Sequence, residues 1–396
     1  MDEFVVFAAG YFDGRDAHDN GPYRIVVRDG MIAAVDRASA ATADFVAAFV
    51  MPGLVEAHAH IFLDGGELDG AVRNAYLKAE RGAMMRVARA NLERAVAAGI
   101  TVVRDAGDRY GVNDAIRAEL AADPGAAITL RSPGAALKRP ARYGGFFARD
   151  VADTDDLAQA VDAVAAGADD VKVVLTGIID FREGCVKGRP QFDREETAAI
   201  VARAHRRGRK VFAHCSGTEG LEVAVAAGVD SIEHGFFMTP ELLDRMAETG
   251  IAWVPTFSPV HFQSAHPEIA GWDEAARAHL RRILEQHAEL VGLAHRLGVP
   301  LVAGSDAGSF GVVHGTALID ELFHFLAAGV PMAAALAAAT TRPRRLWGMP
   351  AADIVPGNRA DLVALEGSPF AAPEALRQPA AVVKGGNVRR LRGVTP

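Results

Sequence analysis

The sequence predicts an α/β protein: a (β/α)8, TIM-like barrel carrying a small β-sandwich domain built from both termini. Three observations lead there. Short β-branched apolar runs alternate with alanine-rich amphipathic stretches through the middle of the chain. Both ends read instead as strands separated by turn dipeptides. Residue types that bind metals recur at the ends of successive strand-like runs, where such a barrel builds its active site. The divisions are residues 1–50 and 348–396 for the two parts of the β-domain, and 51–347 for the barrel.

Phe4–Phe7, Arg24–Val27 and Met31–Val35 are strand-like, with Asp13-Gly14 and Asp29-Gly30 as hairpin signals. The same texture returns in Ala360–Leu365 and Ala381–Gly386. In the barrel region the strand-like runs are Phe49–Val55, Ile100–Arg104, Ala127–Arg131, Asp170–Leu175, Lys210–Ala213, Ser231–Glu233, Ile251–Thr256 and Pro300–Gly304. Helices are expected over Arg194–Arg207, Glu219–Ala227, Pro240–Glu248 and Asp273–Arg296. Asp193 with Glu196 three residues on forms a capping box, and Gly208 stops that helix. An open doubly wound sheet is the alternative, but no Gly-x-Gly-x-x-Gly follows the first run, so no dinucleotide site is indicated.

Composition narrows the function. With 396 residues, half of them hydrophobic, the chain can bury a large core. A net charge of −8 offers no footprint for nucleic acid or an anionic membrane. Two cysteines, Cys185 and Cys215, make no disulfide framework and point to the cytoplasm. The opening residues lack the pattern of a signal peptide, and no apolar run reaches about 18 residues. A small-molecule substrate is the expected partner, and a homo-oligomer is an option that barrels of this size often take.

The chemistry-bearing residues start at Glu56-Ala-His58-Ala-His60. Two histidines two apart on a strand share a face and can reach one ion. Lys172 follows in the fourth run, His214 ends the fifth, His234 ends the sixth and Asp306 ends the eighth. Glu233, adjacent to His234, is expected on the opposite strand face, away from the barrel interior. Arg104 and Asp105 read as an internal pair. His205, His279, His287 and His295 read as solvated residues on helix surfaces, and Cys215 as packing.

The order His-x-His, Lys, His, His, Asp resembles the amidohydrolase superfamily, in particular its binuclear members with a carboxylated lysine. Pro52–His60, Ile232-Glu-His-Gly235, Gly304-Ser-Asp306 and Pro356–Leu362 match that pattern, with most similarity to the prolidase- and imidazolonepropionase-like branch. The resemblance implies two divalent metal ions, zinc being best suited, with manganese or iron able to occupy the same site. His58, His60 and Asp306 would hold one, His214 and His234 the other, and a carbon dioxide-derived carbamate on Lys172 would bridge them. Metals about 3.5–4 Å apart can share a hydroxide, with Asp306 as general base and then acid. The implied reaction is hydrolysis of an amide-type C–N bond in an N-acyl amino acid, dipeptide, aryl amide or cyclic amide.

Loop aromatics Phe62, Tyr143, Phe146, Phe147, Phe236, Phe237, Phe257 and Phe262 suggest an apolar substrate group. Lys138, Arg139 or Arg142 could hold a carboxylate, or form a solvated basic loop. His314 could reach the substrate or bind backbone. Tyr143, Arg142, His314 and Phe236 are therefore the candidate substrate contacts. Two positions depart from dipeptidase-like relatives: Ser216 stands where they often have tyrosine, and Thr176–Asp180 where they tend to have a Ser-Gly-Gly-like stretch. The alternatives are a mononuclear deaminase of a heterocyclic amine, a lactonase or phosphotriesterase, and a non-catalytic binding scaffold. Deaminases usually place a glutamate three residues after the fifth-strand histidine; this chain has Gly217 there, with Glu219 beyond it.

Overall fold

A computed structural model describes residues 3–37 and 43–391. Met1-Asp2 at the start and the last five residues of the C-terminal β-segment lie outside the described residues. Seven parallel strands and one bridging segment close a ring. The first, Leu54–Ala59, pairs with Ile100–Asp105, which pairs with Thr129–Arg131. Asp169 N–H donates to Ser132 O at 2.8 Å, joining the fourth strand, Asp170–Val174. Lys210–Cys215, Ser231–His234 and Ala252–Val254 follow in parallel register. The eighth segment is barely a strand. Leu301 bridges Trp253, and Ala57 N–H donates to Ala303 O at 3.1 Å, which closes the ring onto the first strand.

The expected helices form between the strands. Asp193 accepts from Glu196 N while Glu196 reaches back to Asp193 N, completing the capping box of Arg194–Arg206. Thr218–Ala227, Pro240–Thr249 and Glu274–Leu297 occupy the other expected stretches. Their apolar sides pack on the barrel as one large core.

The run Phe49–Val55, expected as one strand, is two strands in two sheets. Phe45–Pro52 belongs to the terminal sheet and Leu54–Ala59 to the barrel. Gly53 is the joint: a side chain there would collide with Thr101. Its N–H donates to Asp361 O at 2.8 Å, and Leu54 N–H to Gly99 O at 3.0 Å.

The terminal sheet has eight strands drawn from both ends of the chain. Phe45–Pro52 lies between Glu3–Phe12, parallel, and Leu362–Leu365, antiparallel. Asp29-Gly30 makes the two-residue hairpin between Tyr23–Arg28 and Met31–Arg37, both residues with the positive φ that turn demands. Ile32 hydrogen-bonds residues 357 and 358, curling the sheet so that it encloses a core of its own. Strand alternation then divides the labour. Leu362 and Ala364 face that core, whereas Val363 and Leu365 pack on the barrel.

Asp361 explains the late Pro356–Leu362 motif. Fully buried, it accepts from Arg344 at 3.0 Å, Lys384 at 2.6 Å, Arg359 at 3.1 Å and Gly385 N at 3.0 Å. Arg344 also donates to Thr101 Oγ1, so this cluster bolts the sheet to the second barrel strand. Burial opposes ionisation of Asp361, but the Lys384 and Arg344 charges prevail and hold its pKa at about 2. Asp361→Ala leaves two buried cations unpaired, so urea unfolding should show a loss of about 3–5 kcal/mol. A loss below ~1 kcal/mol, the size of a surface pair, would show that the cluster is not what fastens the sheet.

Candidate metal centre and active site

His58 lies inside the first strand and His60 just past its end, with ring centroids 5.8 Å apart. His234, last residue of the sixth strand, has its ring 5.0 Å from His58 and 4.5 Å from His214. Asp306 Oδ1 lies 3.7 Å from His58 Nε2 and 3.8 Å from His60 Nε2. Lys172 Nζ is 3.5 Å from His58 Nε2. Each of His58, His234 and Asp306 offers a ligand atom within 4.8 Å of the others. The structure therefore gathers all six expected ligand residues at the C-terminal end of the barrel.

Each imidazole is oriented from behind. Nδ1–H of His58 donates to Glu233 Oε2 at 2.6 Å, that of His60 to Gly107 O at 3.1 Å, and that of His234 to Thr256 Oγ1 at 2.7 Å. His214 bonds the Gly177 backbone. These bonds select the tautomer that turns the Nε2 lone pair inward. Burial, reinforced by nearby Lys172, lowers the pKa of His58 and His60, and burial with the neighbouring His214 does the same for His234. His214 is lowered to about 3 by burial. Neutral rings result, as metal binding requires.

Two buried atoms have no hydrogen-bond partner among the described residues at this site: His214 Nε2 and Asp306 Oδ1. An unpaired buried acceptor is costly, and a cation bound at each of these atoms would relieve that cost. Mixed nitrogen and carboxylate donors suit a divalent ion. Lys172 is buried beneath them, its Nζ 4.8 Å from the Phe147 ring centroid and 5.6 Å from that of Phe212. No ion pair of Lys172 occurs among the described residues. Burial pulls its pKa down, against the neighbouring carboxylates, and pushes that of Asp306 up, against Lys172.

Three sequence expectations are corrected. Glu233 faces the barrel interior, fully buried against His58. His234 has φ of +68°, so the strict alternation of a strand ends there and both neighbours turn inward. Arg104 does not pair with Asp105. It donates to Glu233 Oε1 at 2.8 Å, whereas Asp105 accepts from Ile61 N, Gly107 N and Asn113. His287 is buried, not solvated; it stacks on Phe236 at 4.0 Å and bonds Pro255 O.

A cavity of about 400 Å³ opens beside His214, His234 and Asp306. Of the expected substrate contacts, Tyr143 and Phe236 line it. His314 takes the backbone alternative, bonding Leu63 O at 3.2 Å, and Arg142 is exposed and bonded to Arg189 O, outside the lining. Lys138 pairs with Asp150, and Arg139 with Glu196. Sequence reasoning missed Phe181, Trp272 and Phe310 in the wall. Phe181 directly follows the divergent Thr176–Asp180 stretch, the one signal that could have pointed to it. Ser216 accepts from Phe236 N at 3.2 Å, and Glu219 is exposed on its helix, leaving no acid in the deaminase position.

Residues 49–391 match the amidohydrolase family. The chain belongs to that family. An uncharacterized protein of Mycobacterium tuberculosis is 30% identical over 374 residues, covering 93% of this chain and 92% of its own. The ochratoxinase of Aspergillus niger is 28% identical over 387 residues, covering 88% and 77%. The crystal structure of a Xaa-Pro dipeptidase with bound methionine superposes with a TM-score of 0.83 at 25% identity, over 98% of this chain and 100% of that one. The amidohydrolase described here is thus a hydrolytic enzyme of amide-type C–N bonds acting on small molecules, with its fold in the prolidase-like branch. No helix among the described residues is long and apolar enough to cross a membrane.

His214→Ala and His234→Ala each remove one inward nitrogen from the cluster. Both proteins, purified without chelator, should carry less divalent metal per chain than the parent by elemental mass spectrometry, with an unchanged far-UV spectrum. Equal metal content in either would exclude that histidine as a ligand.

Proposed function

We propose that this amidohydrolase is a binuclear, metal-dependent amidase of small molecules that carry an apolar or aromatic group. The observation that carries the reading is the cluster itself: His58, His234 and Asp306 converge within 4.8 Å, with His60, His214 and Lys172 against them, beside an apolar cavity and with His214 Nε2 and Asp306 Oδ1 unpaired. His58, His60 and Asp306 would hold one ion and His214 and His234 the other, with Lys172, as its carbamate, held between them. Zinc best fits these donors. When bound, the ions supply Lewis acidity toward the carbonyl and an activated water.

The remaining work falls to the chain's own groups. Asp306 Oδ accepts the proton of the attacking water and returns it to the leaving nitrogen as the C–N bond breaks. The Tyr143 ring lies tilted against His214, centroids 5.1 Å apart, and its hydroxyl donates to the developing oxyanion. Ile178, Phe181, Trp272 and Phe310 form a wall suited to an aryl or branched acyl group. N-acyl amino acids, aryl amides and cyclic amides fit better than small dipeptides, because Ser216 leaves space where related dipeptidases place a tyrosine.

Metal analysis of protein prepared with bicarbonate should give about two equivalents per chain. One equivalent, or activity that survives exhaustive metal removal, would overturn the reading. Lys172→Ala should lose metal and activity, with partial recovery on adding a short carboxylate such as formate. Asp306→Asn should lower kcat by ~10²–10⁴. Trp272→Ala and Phe181→Ala should raise KM for N-aroyl amino acids while sparing N-acetyl ones; an equal effect on both would remove this wall from substrate selection.

A further inference from the structure

Behind the four ligand imidazoles stand acceptors of two kinds. His60, His214 and His234 lean on neutral oxygens, two backbone carbonyls and the Thr256 hydroxyl. His58 alone leans on a carboxylate, at 2.6 Å. A carboxylate behind an imidazole strengthens its other nitrogen as a donor. We infer that the two metal positions are unequal, and that Arg104 and Glu233 make the His58 side the tighter one; this rests on the binuclear reading above.

Glu233 is built to stay in place. Its Oε1 accepts from Ser231 Oγ at 2.6 Å and from Arg104 Nη2 at 2.8 Å, which leaves Oε2 for His58. Arg104 is pinned in turn. Its Nε donates to Ala57 O at 2.8 Å, the residue before His58, and its guanidinium lies 4.1 Å from the Phe212 ring and 4.9 Å from Trp347. The pair brings a negative charge to the ligand without leaving an isolated buried charge. Neither residue touches the cavity beside Asp306. Both are positioning residues, acting through His58.

The test is a competitive titration of metal-free full-length protein with zinc against a chromophoric chelator. The parent should show two steps, the weaker one abolished by His214→Ala. Glu233→Gln should weaken the tighter step about 10–100-fold while the capacity at saturating zinc stays at two. Arg104→Lys, which keeps charge but not the two-point grip, should weaken the same step less. Thr256→Val, which frees His234, should weaken the other step. A general loss of packing would instead lower both steps together, and that outcome, or a Glu233→Gln curve matching the parent, would overturn the inference. Fewer than two equivalents in the parent would sink the binuclear reading itself. Should Glu233→Gln fail to fold, Glu233→Asp, too short to reach His58, must weaken the tighter step for the inference to stand.

Discussion

The hydrogen bond from His58 Nδ1 to Glu233 Oε2 spans the barrel interior from the first strand to the sixth. It is one instance of a constraint met all around the ring. Polar groups are carried into a dry core, where each must find a partner. Three more buried carboxylates serve the same end. Glu56 accepts from His58 N and from the backbone and hydroxyl of Ser305, beside Asp306. Asp105 holds Ile61 N, next to His60, and Gly107 N, whose carbonyl orients His60. Glu321 holds Phe257 and Ser258, just past Thr256. Acidic side chains, not packing alone, set the backbone of the candidate site.

Those clamps also hold strained residues. His234, Thr256 and Asp306 adopt positive φ values of +68°, +49° and +56°. For a β-branched threonine this is a rare conformation. Each lies where a strand ends and the chain must turn while its side chain still faces the centre. Such strain persists only where surrounding contacts overdetermine it. Trp253 Nε1–H donates to His234 O, Asp306 N–H donates to His58 O, and Glu321 grips the loop after Thr256. Backbone cost here is exchanged for the orientation of side chains toward the site.

Stability and specificity are kept apart. The Asp361 cluster and the two-faced terminal sheet lie on the flank of the barrel and can be optimised without touching the chemistry. Much of the cavity wall comes from the 176–190 hairpin and the helical insertion after the seventh strand, connecting segments that lie outside the ring itself. Solved structures named for unlike substrates, ochratoxinase and Xaa-Pro dipeptidase, share this fold.

Much of this was legible from local pattern. Helix rhythm, most of the strand rhythm, the capping box at Asp193 and the Asp29-Gly30 hairpin are short-range features, and they formed where expected. That the six candidate ligand residues gather at one end was legible because strand ends in a barrel all face one way, so order along the chain maps to position around the site. What failed required knowledge of long-range partners. The Phe49–Val55 run could not reveal that Gly53 passes it between sheets, since the reason is Thr101, a residue on another strand. Period-two alternation put Glu233 outside, because nothing local announces a positive φ at His234. The roles of Arg104, His287, Phe181 and Trp272 depend on neighbours brought together from distant segments. The sequence by itself determined the candidate metal-binding residue types and their order, because these are fixed by covalent spacing and strand direction. Only the tertiary structure decided which acceptor stands behind each imidazole and which side chains wall the cavity, because those contacts exist only once the ring has closed.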